Sequence, residues 1–144
     1  MKGRAEEIMS DELHFLTNED HAPVVLYITN ESFEFQGDAV YAKVKQMTDI
    51  PFDFCELPVA NWDDRLTPWA ADPQMKGRSF TGGGKQLLEK IGENVISLID
   101  EKLPDHREIY IAGYSLAGLF SLWTLYECDR FDGAVCCSGS LWYP

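Results

Sequence analysis

Gly113-Tyr114-Ser115-Leu116-Ala117-Gly118 is the stretch of this 144-residue chain best equipped for covalent chemistry. A serine hydroxyl is a weak nucleophile until something exposes it, aims it and takes its proton. Here a serine has small residues two places before it and two places after it. That spacing suits a sharp turn from a strand into a helix, with the two passing so close that side chains at 113 and 117 would collide. The serine then stands above the carboxyl edge of a sheet, at the start of a helix. The helix dipole and the free N–H groups there favour negative charge on a tetrahedral intermediate. Ser115 is therefore the candidate nucleophile toward an acyl carbonyl, and the Leu116 N–H is one oxyanion donor. The alternative is that Gly113 and Ala117 only permit tight packing and Ser115 caps the helix.

A serine is presented in this way by an alternating α/β chain, and the hydropathy pattern supplies one. Val24-Val25-Leu26-Tyr27-Ile28-Thr29 is a β-branched and aromatic run of the kind buried on both faces of a parallel sheet. Val40, Val44 and Met47 recur at helical spacing between Asp38 and Met47. Pro51 ends that segment, and Phe52 to Leu57 reads as a second strand. Asn61 to Gly84 shows no period and reads as a long functional or mobile loop. Leu87, Leu88, Ile91, Val95, Leu98 and Ile99 define one face of a helix from Lys85 to Leu103. Glu108 to Ala112 is a third strand, and Phe131 to Cys137 is a fourth. Leu116 to Cys128 between them is apolar almost all round, the pattern of a helix buried on every side. The first 20 residues, with Leu13, Phe15 and Leu16 as their apolar patch, read as an irregular arm or a short edge strand. Strand and helix alternation of this kind predicts a mostly parallel sheet with helices on both faces, in one domain over 1–144.

The elbow at 109–118, Ile109-Tyr110-Ile111-Ala112-Gly113-Tyr114-Ser115-Leu116-Ala117-Gly118, resembles that of the α/β-hydrolases. So does Phe131-Asp132-Gly133-Ala134-Val135 followed by Ser138-Gly139-Ser140-Leu141-Trp142. The likeness is strongest to their esterase branch, related to enterochelin esterases and esterase D, and extends less specifically from Val24 to Pro144. It implies an incomplete α/β-hydrolase fold and a serine hydrolase acting on a carboxylic ester or related acyl substrate, without metal or organic cofactor. It also implies a second oxyanion donor from the loop that begins at Asn30. Two departures stand out. Ala117 replaces the glycine of many members, and Asn30-Glu31-Ser32 lacks the His-Gly-Gly string of many lipases.

In this fold the acid and the histidine follow the serine in the chain. Only 29 residues follow Ser115, and none is histidine. His106 precedes a strand that rises about 3.3 Å per residue before reaching Gly113. It belongs at the opposite edge of the sheet, and His21 lies below the first strand in the same way. His14 sits in the N-terminal arm. The expectation is a domain truncated at its C-terminus, whose continuation of roughly 60 to 110 residues would bring the acid and the base. The last strand then exposes an apolar edge on which a second copy could pair as a homodimer. The competing expectation is a hydrolase-fold binding or interaction module that kept the elbow for packing.

Trp62 and Asp63 follow the second strand and Trp142 follows the fourth, so all three belong on the rim of Ser115, where open α/β sheets take ligands. They are the candidate substrate pocket, although loop packing explains the tryptophans equally well and loop capping is the commoner role for an aspartate such as Asp63. Gly82-Gly83-Gly84-Lys85 fails as a phosphate loop, since Ser79 stands where the first glycine should and Gln86 follows the lysine. It reads instead as a flexible lead into the helix. The four cysteines show no C-x-x-C spacing and accompany three histidines, which argues against zinc and for buried free thiols of a cytoplasmic protein. Hydrophobic residues make up 45% and charged residues 25%, enough for a folded core. A formal charge of -12 disfavours nucleic acid and anionic membrane surfaces as partners. No apolar run reaches membrane-spanning length, and Lys2 and Arg4 lead into no signal-like apolar segment.

Overall fold

The computed structural model describes residues 12–33, 36–72 and 77–144. The branched run expected as the first buried strand forms β2 (Val24–Asn30), preceded by the two-residue β1 (His14–Phe15). Then follow α1 (Gln36–Met47), β3 (Asp53–Val59), α2 (Trp62–Leu66), β4 (Ala70–Ala71) and β5 (Phe80–Thr81). α3 (Gly84–Lys90) passes through a π-helical turn, Ile91–Val95, into α4 (Ile96–Lys102). β6 (Ile109–Tyr114), α5 (Leu116–Glu127) and β7 (Gly133–Cys137) complete the order. The main sheet runs β1-β3-β2-β6-β7, with every pair parallel except β1 on β3. The mostly parallel sheet with helices on both faces is thus observed. Reading residues 1–11 as part of an arm lies outside the described residues, while the edge-strand alternative is met at His14–Phe15.

Alternation along β2 sends Val24, Leu26 and Ile28 to one face and Val25 and Tyr27 to the other. The first face carries the larger core, under Leu87, Ile91, Ile99, Leu116 and Phe120 of the later helices. The second is a smaller cluster of Tyr27, Phe54 and Ala112 against Val40 and Tyr41 of α1. α1 is a thin cover: Val44 and Met47, expected on its core stripe, are exposed. Only its first turns reach the sheet.

Two further expectations are corrected. The helix over 85–103 is broken in phase by its π turn, where Gly92 weakens the α-helical preference. One extra residue in that turn brings Val95 and Ile96 to the core side by side and swings Leu98 outward, 46% exposed. α5 is not buried all round, since Leu125 and Tyr126 face outward. Its buried side instead accepts Ser121 and Thr124, whose hydroxyls donate to the carbonyls of Ala117 and Ser121, both at 2.7 Å. Back-bonding of this kind lets small polar residues enter a core, so apolarity alone misjudged which side faces the sheet.

Of the four thiols only Cys55 is buried. Burial, with Asp53 adding to it, pushes its pKa up to about 12. Cys128, at the end of α5, and Cys136 are half-buried, and Cys137 is exposed on β7, which has one strand neighbour among the described residues. Val135 on the same strand is 47% exposed. No helix among the described residues is long and apolar enough to cross a membrane.

Glu56 is a buried carboxylate in the middle of β3 that ties β2 to α1. Its Oε2 accepts the Thr29 hydroxyl at 2.9 Å and the Gly37 N–H at 3.1 Å, in the first turn of α1 where the helix dipole favours a negative charge. Glu56→Ala should cost about 3 kcal/mol in chemical denaturation, since two buried donors lose a charged acceptor together. A loss under about 0.5 kcal/mol would remove Glu56 from this role.

Candidate active site

Position 115 has the strained conformation that the motif demands. Ser115 has φ 63° and ψ −122°, a left-handed backbone that costs a non-glycine residue on the order of 1–3 kcal/mol. The surroundings enforce it. A Cβ built on Gly113 would lie 2.4 Å from the Ala117 carbonyl oxygen and 2.5 Å from its Cβ, so β6 and α5 approach too closely for any side chain at 113. The Ser115 carbonyl accepts the N–H groups of Gly118 at 2.9 Å and Leu119 at 3.1 Å, which starts α5 through the main chain. The Ser115 hydroxyl makes no capping bond to the helix. The capping explanation for this serine therefore loses its bond. Leu116, as the first helical residue, keeps its N–H outside the α-helical ladder, beside the serine.

The turn after β7 grips the same residue. Ser115 N–H donates to the Cys137 carbonyl at 3.0 Å, and Ser140 N–H donates to the Ser115 carbonyl at 3.1 Å. The two hydroxyls, Ser115 Oγ and Ser140 Oγ, lie 3.2 Å apart.

Ser115 opens onto a cavity of about 230 Å³ walled by Tyr114, Tyr27, Asn30, Trp62 and Arg78. A second cavity of about 430 Å³ shares Asn30, Trp62 and Arg78 and adds Asp63 and Asp64. The rim placement expected of Trp62 and Asp63 is thus observed. Asp63 grips the Arg78 guanidinium from two sides, at 2.7 Å through Nε and again through Nη2. Its carboxylate positions the arginine rather than standing open to a ligand. Burial raises the Tyr27 pKa, and the nearby Cys137, Glu56 and Tyr114 raise it further, so this wall keeps its phenol proton.

Two expectations are not met. The Asn30 N–H donates to Gln36 Oε1 at 3.2 Å, so it is committed to α1 and is not turned to an oxyanion. Trp142 packs on Phe80, with ring centroids 6.1 Å apart, and is absent from the walls of both cavities. The tail it belongs to is anchored elsewhere: Trp69 Nε1 donates to the Pro144 carbonyl at 3.0 Å, and the Tyr143 hydroxyl donates to the Trp69 carbonyl.

The glycine run is rigid rather than a flexible lead. The N–H groups of Gly82, Gly83 and Gly84 donate to Thr67 Oγ1, the Asp64 carbonyl and the Thr67 carbonyl. Gly82 has φ 80°, and a Cβ there would meet the Ala70 nitrogen at 2.5 Å. Donors spent in this way cannot cradle a phosphate.

All three histidines lie away from Ser115. His106 Nε2 meets Asp100 at 2.7 Å below the start of β6, and His21 meets Asp105 at 3.7 Å at the same edge. Burial lowers the His106 pKa, but bonds to Asp100 and the Arg107 carbonyl and the charges of Asp100 and Asp20 outweigh it, leaving it raised. His14 lies on β1, three strands from β6 and so roughly 14 Å across the sheet. Asp20, His21 and Asp105 bring ligand atoms within 4.8 Å of one another, at the edge opposite Ser115.

Sequence reasoning missed Ser140, Arg78 and Gln36. Ser140 carried a signal, since it follows a parallel strand on the rim of Ser115. Arg78 carried none within an aperiodic segment.

Solved structures share this fold, three hydrolase-fold neighbours among them. The siderophore hydrolase EstA from Aspergillus nidulans is 19% identical with a TM-score of 0.66, over 85% of this chain and 47% of its own. The IroE-like serine hydrolase from Shewanella oneidensis is 18% identical with a TM-score of 0.72, over 90% of this chain and 46% of its own. The BES protein from Bacillus cereus is 18% identical with a TM-score of 0.70, over 91% and 58%. The chain thus spans about half the length of the structures it matches. At these identities the likeness is one of fold, and the fold is that of the α/β-hydrolases. No family model and no curated protein matches the chain.

Proposed function

We propose that the protein is a serine hydrolase acting on a carboxylic ester or related acyl substrate, with Ser115 as nucleophile. One observation carries the reading: Ser115 holds a strained backbone at a strand-to-helix turn, with a hydroxyl that does not cap the helix it precedes. Strain of this kind persists only where the surroundings enforce it, and it concentrates at reactive sites. The names of the siderophore hydrolase and the serine hydrolase that share the fold support the same reaction class.

In the reaction, Ser115 Oγ bonds to the acyl carbon as its proton passes to a base. The carbonyl oxygen becomes an oxyanion facing the Leu116 N–H. Collapse expels the alcohol, which takes that proton, and leaves an acyl-serine. Water then repeats the sequence, releasing the acid and restoring the hydroxyl. Trp62 and Arg78 border the space in which the acyl or alcohol group lies. His106 and His21 lie at the opposite edge of the sheet and His14 lies three strands from β6, so none of these histidines serves as the base.

One observation favours a non-catalytic binding module instead, namely that same absence of a histidine beside Ser115 among the described residues. Turnover of p-nitrophenyl esters by the full-length protein separates the two. Hydrolysis clearly above the buffer rate is the expected result. Failure across short and medium acyl chains would favour the module.

A further inference from the structure

We infer that Ser140 is a positioning residue for Ser115, donating its hydroxyl hydrogen to Ser115 Oγ. This rests on reading Ser115 as the nucleophile. Ser140 is 3% exposed, the buried member of a turn whose neighbours Ser138 and Leu141 face outward. A buried hydroxyl needs a partner, and among the described residues Ser115 Oγ at 3.2 Å supplies it. Either oxygen could donate in the resting protein. In the reaction the direction is fixed, because Ser115 must give its own proton to a base and Ser140 then supplies the remaining hydrogen.

The length of the contact says when it acts. At 3.2 Å it is longer than an ordinary O–H···O bond, so it holds the resting hydroxyl weakly. Ser115 Oγ becomes negative as its proton leaves, and again when the acyl bond breaks in the second half of the cycle. A bond to a charged oxygen shortens and strengthens. The contribution therefore falls on the transition states of both halves and little on substrate binding, which places it in kcat rather than KM.

The main chain isolates this role from folding. Ser140 N–H donates to the Ser115 carbonyl, and the Ser140 carbonyl accepts the Tyr143 N–H, both at 3.1 Å. Neither bond involves the side chain, so Ser140→Ala keeps the turn docked on the elbow and removes only the hydroxyl.

The test compares the full-length protein with its Ser140→Ala and Ser140→Thr forms in steady-state ester hydrolysis and in thermal melting. We expect Ser140→Ala to lower kcat about 10- to 100-fold, the span of one charge-assisted bond. KM should stay within about twofold, and the melting temperature within about 2 °C. Ser140→Thr, which keeps a hydroxyl, should recover most of the loss. An unchanged kcat in Ser140→Ala would overturn the inference alone, as would a loss confined to KM or matched by a collapse in melting temperature. An inactive parent whose Ser115 also resists acylating reagents would overturn the hydrolase reading, and this inference with it.

Discussion

Gly113→Ala should destabilise the protein by about 3 kcal/mol or more, a large effect for one methyl group. The added Cβ would sit 2.4 Å from the Ala117 carbonyl oxygen and 2.5 Å from its carbonyl carbon. Those atoms belong to the first turn of α5, so no rotamer change relieves the contact. Either α5 lifts from β6 or Ser115 leaves its left-handed conformation, and both spoil the presentation of the hydroxyl. The companion Ala117→Gly separates the causes. On its own it should cost about 1 kcal/mol of helix preference. Combined with Gly113→Ala it should recover little, because the carbonyl of residue 117 remains in place. Urea denaturation of the four proteins checks this. A Gly113→Ala protein as stable as the parent, or full recovery in the double variant, would show that the approach of strand and helix is not tight.

Ser115→Ala should lower kcat for ester hydrolysis by the full-length protein at least about 10³-fold, while the fold survives. Removing the nucleophile ends acyl-serine formation, and only electrostatic help from donors such as the Leu116 N–H remains. The stability change has a predictable sign. Alanine inherits the φ of 63° with no hydroxyl to contribute, and Ser140 Oγ loses its partner. A modest loss of about 1 kcal/mol is expected. Retention of more than a tenth of the activity would assign the chemistry to another residue.

The sequence carried much of this site because each cue was local and physical. Gly113, Ser115 and Ala117 encode a close crossing of strand and helix, and the buried runs at Val24–Thr29 and Glu108–Ala112 identify the sheet that carries it. Following a parallel strand to its end puts Trp62 and Asp63 on the rim where the cavities lie. Other features depend on contacts that no local pattern states. The π turn at Ile91–Val95 shifts the helix phase, so Leu98 left the face it was assigned. Tyr126 and Leu125 are apolar yet exposed, while Ser121 and Thr124 are buried through bonds to their own helix. The pairing of Arg78 with Asp63 joins residues 15 apart across an aperiodic segment. Asn30 borders the cavity, but its N–H, expected to face an oxyanion, is claimed by Gln36, an acceptor whose role no motif announces.

The most direct test of the central claim is mass mapping of the full-length protein after reaction with a fluorophosphonate. The reagent forms a phosphonyl ester only with an activated hydroxyl, releasing fluoride. A single adduct is expected on the tryptic peptide containing Ser115, with fragment ions placing it on that residue and no adduct in Ser115→Ala. An unmodified Ser115 peptide under conditions that label a known serine hydrolase, or an adduct on a different residue, would contradict it.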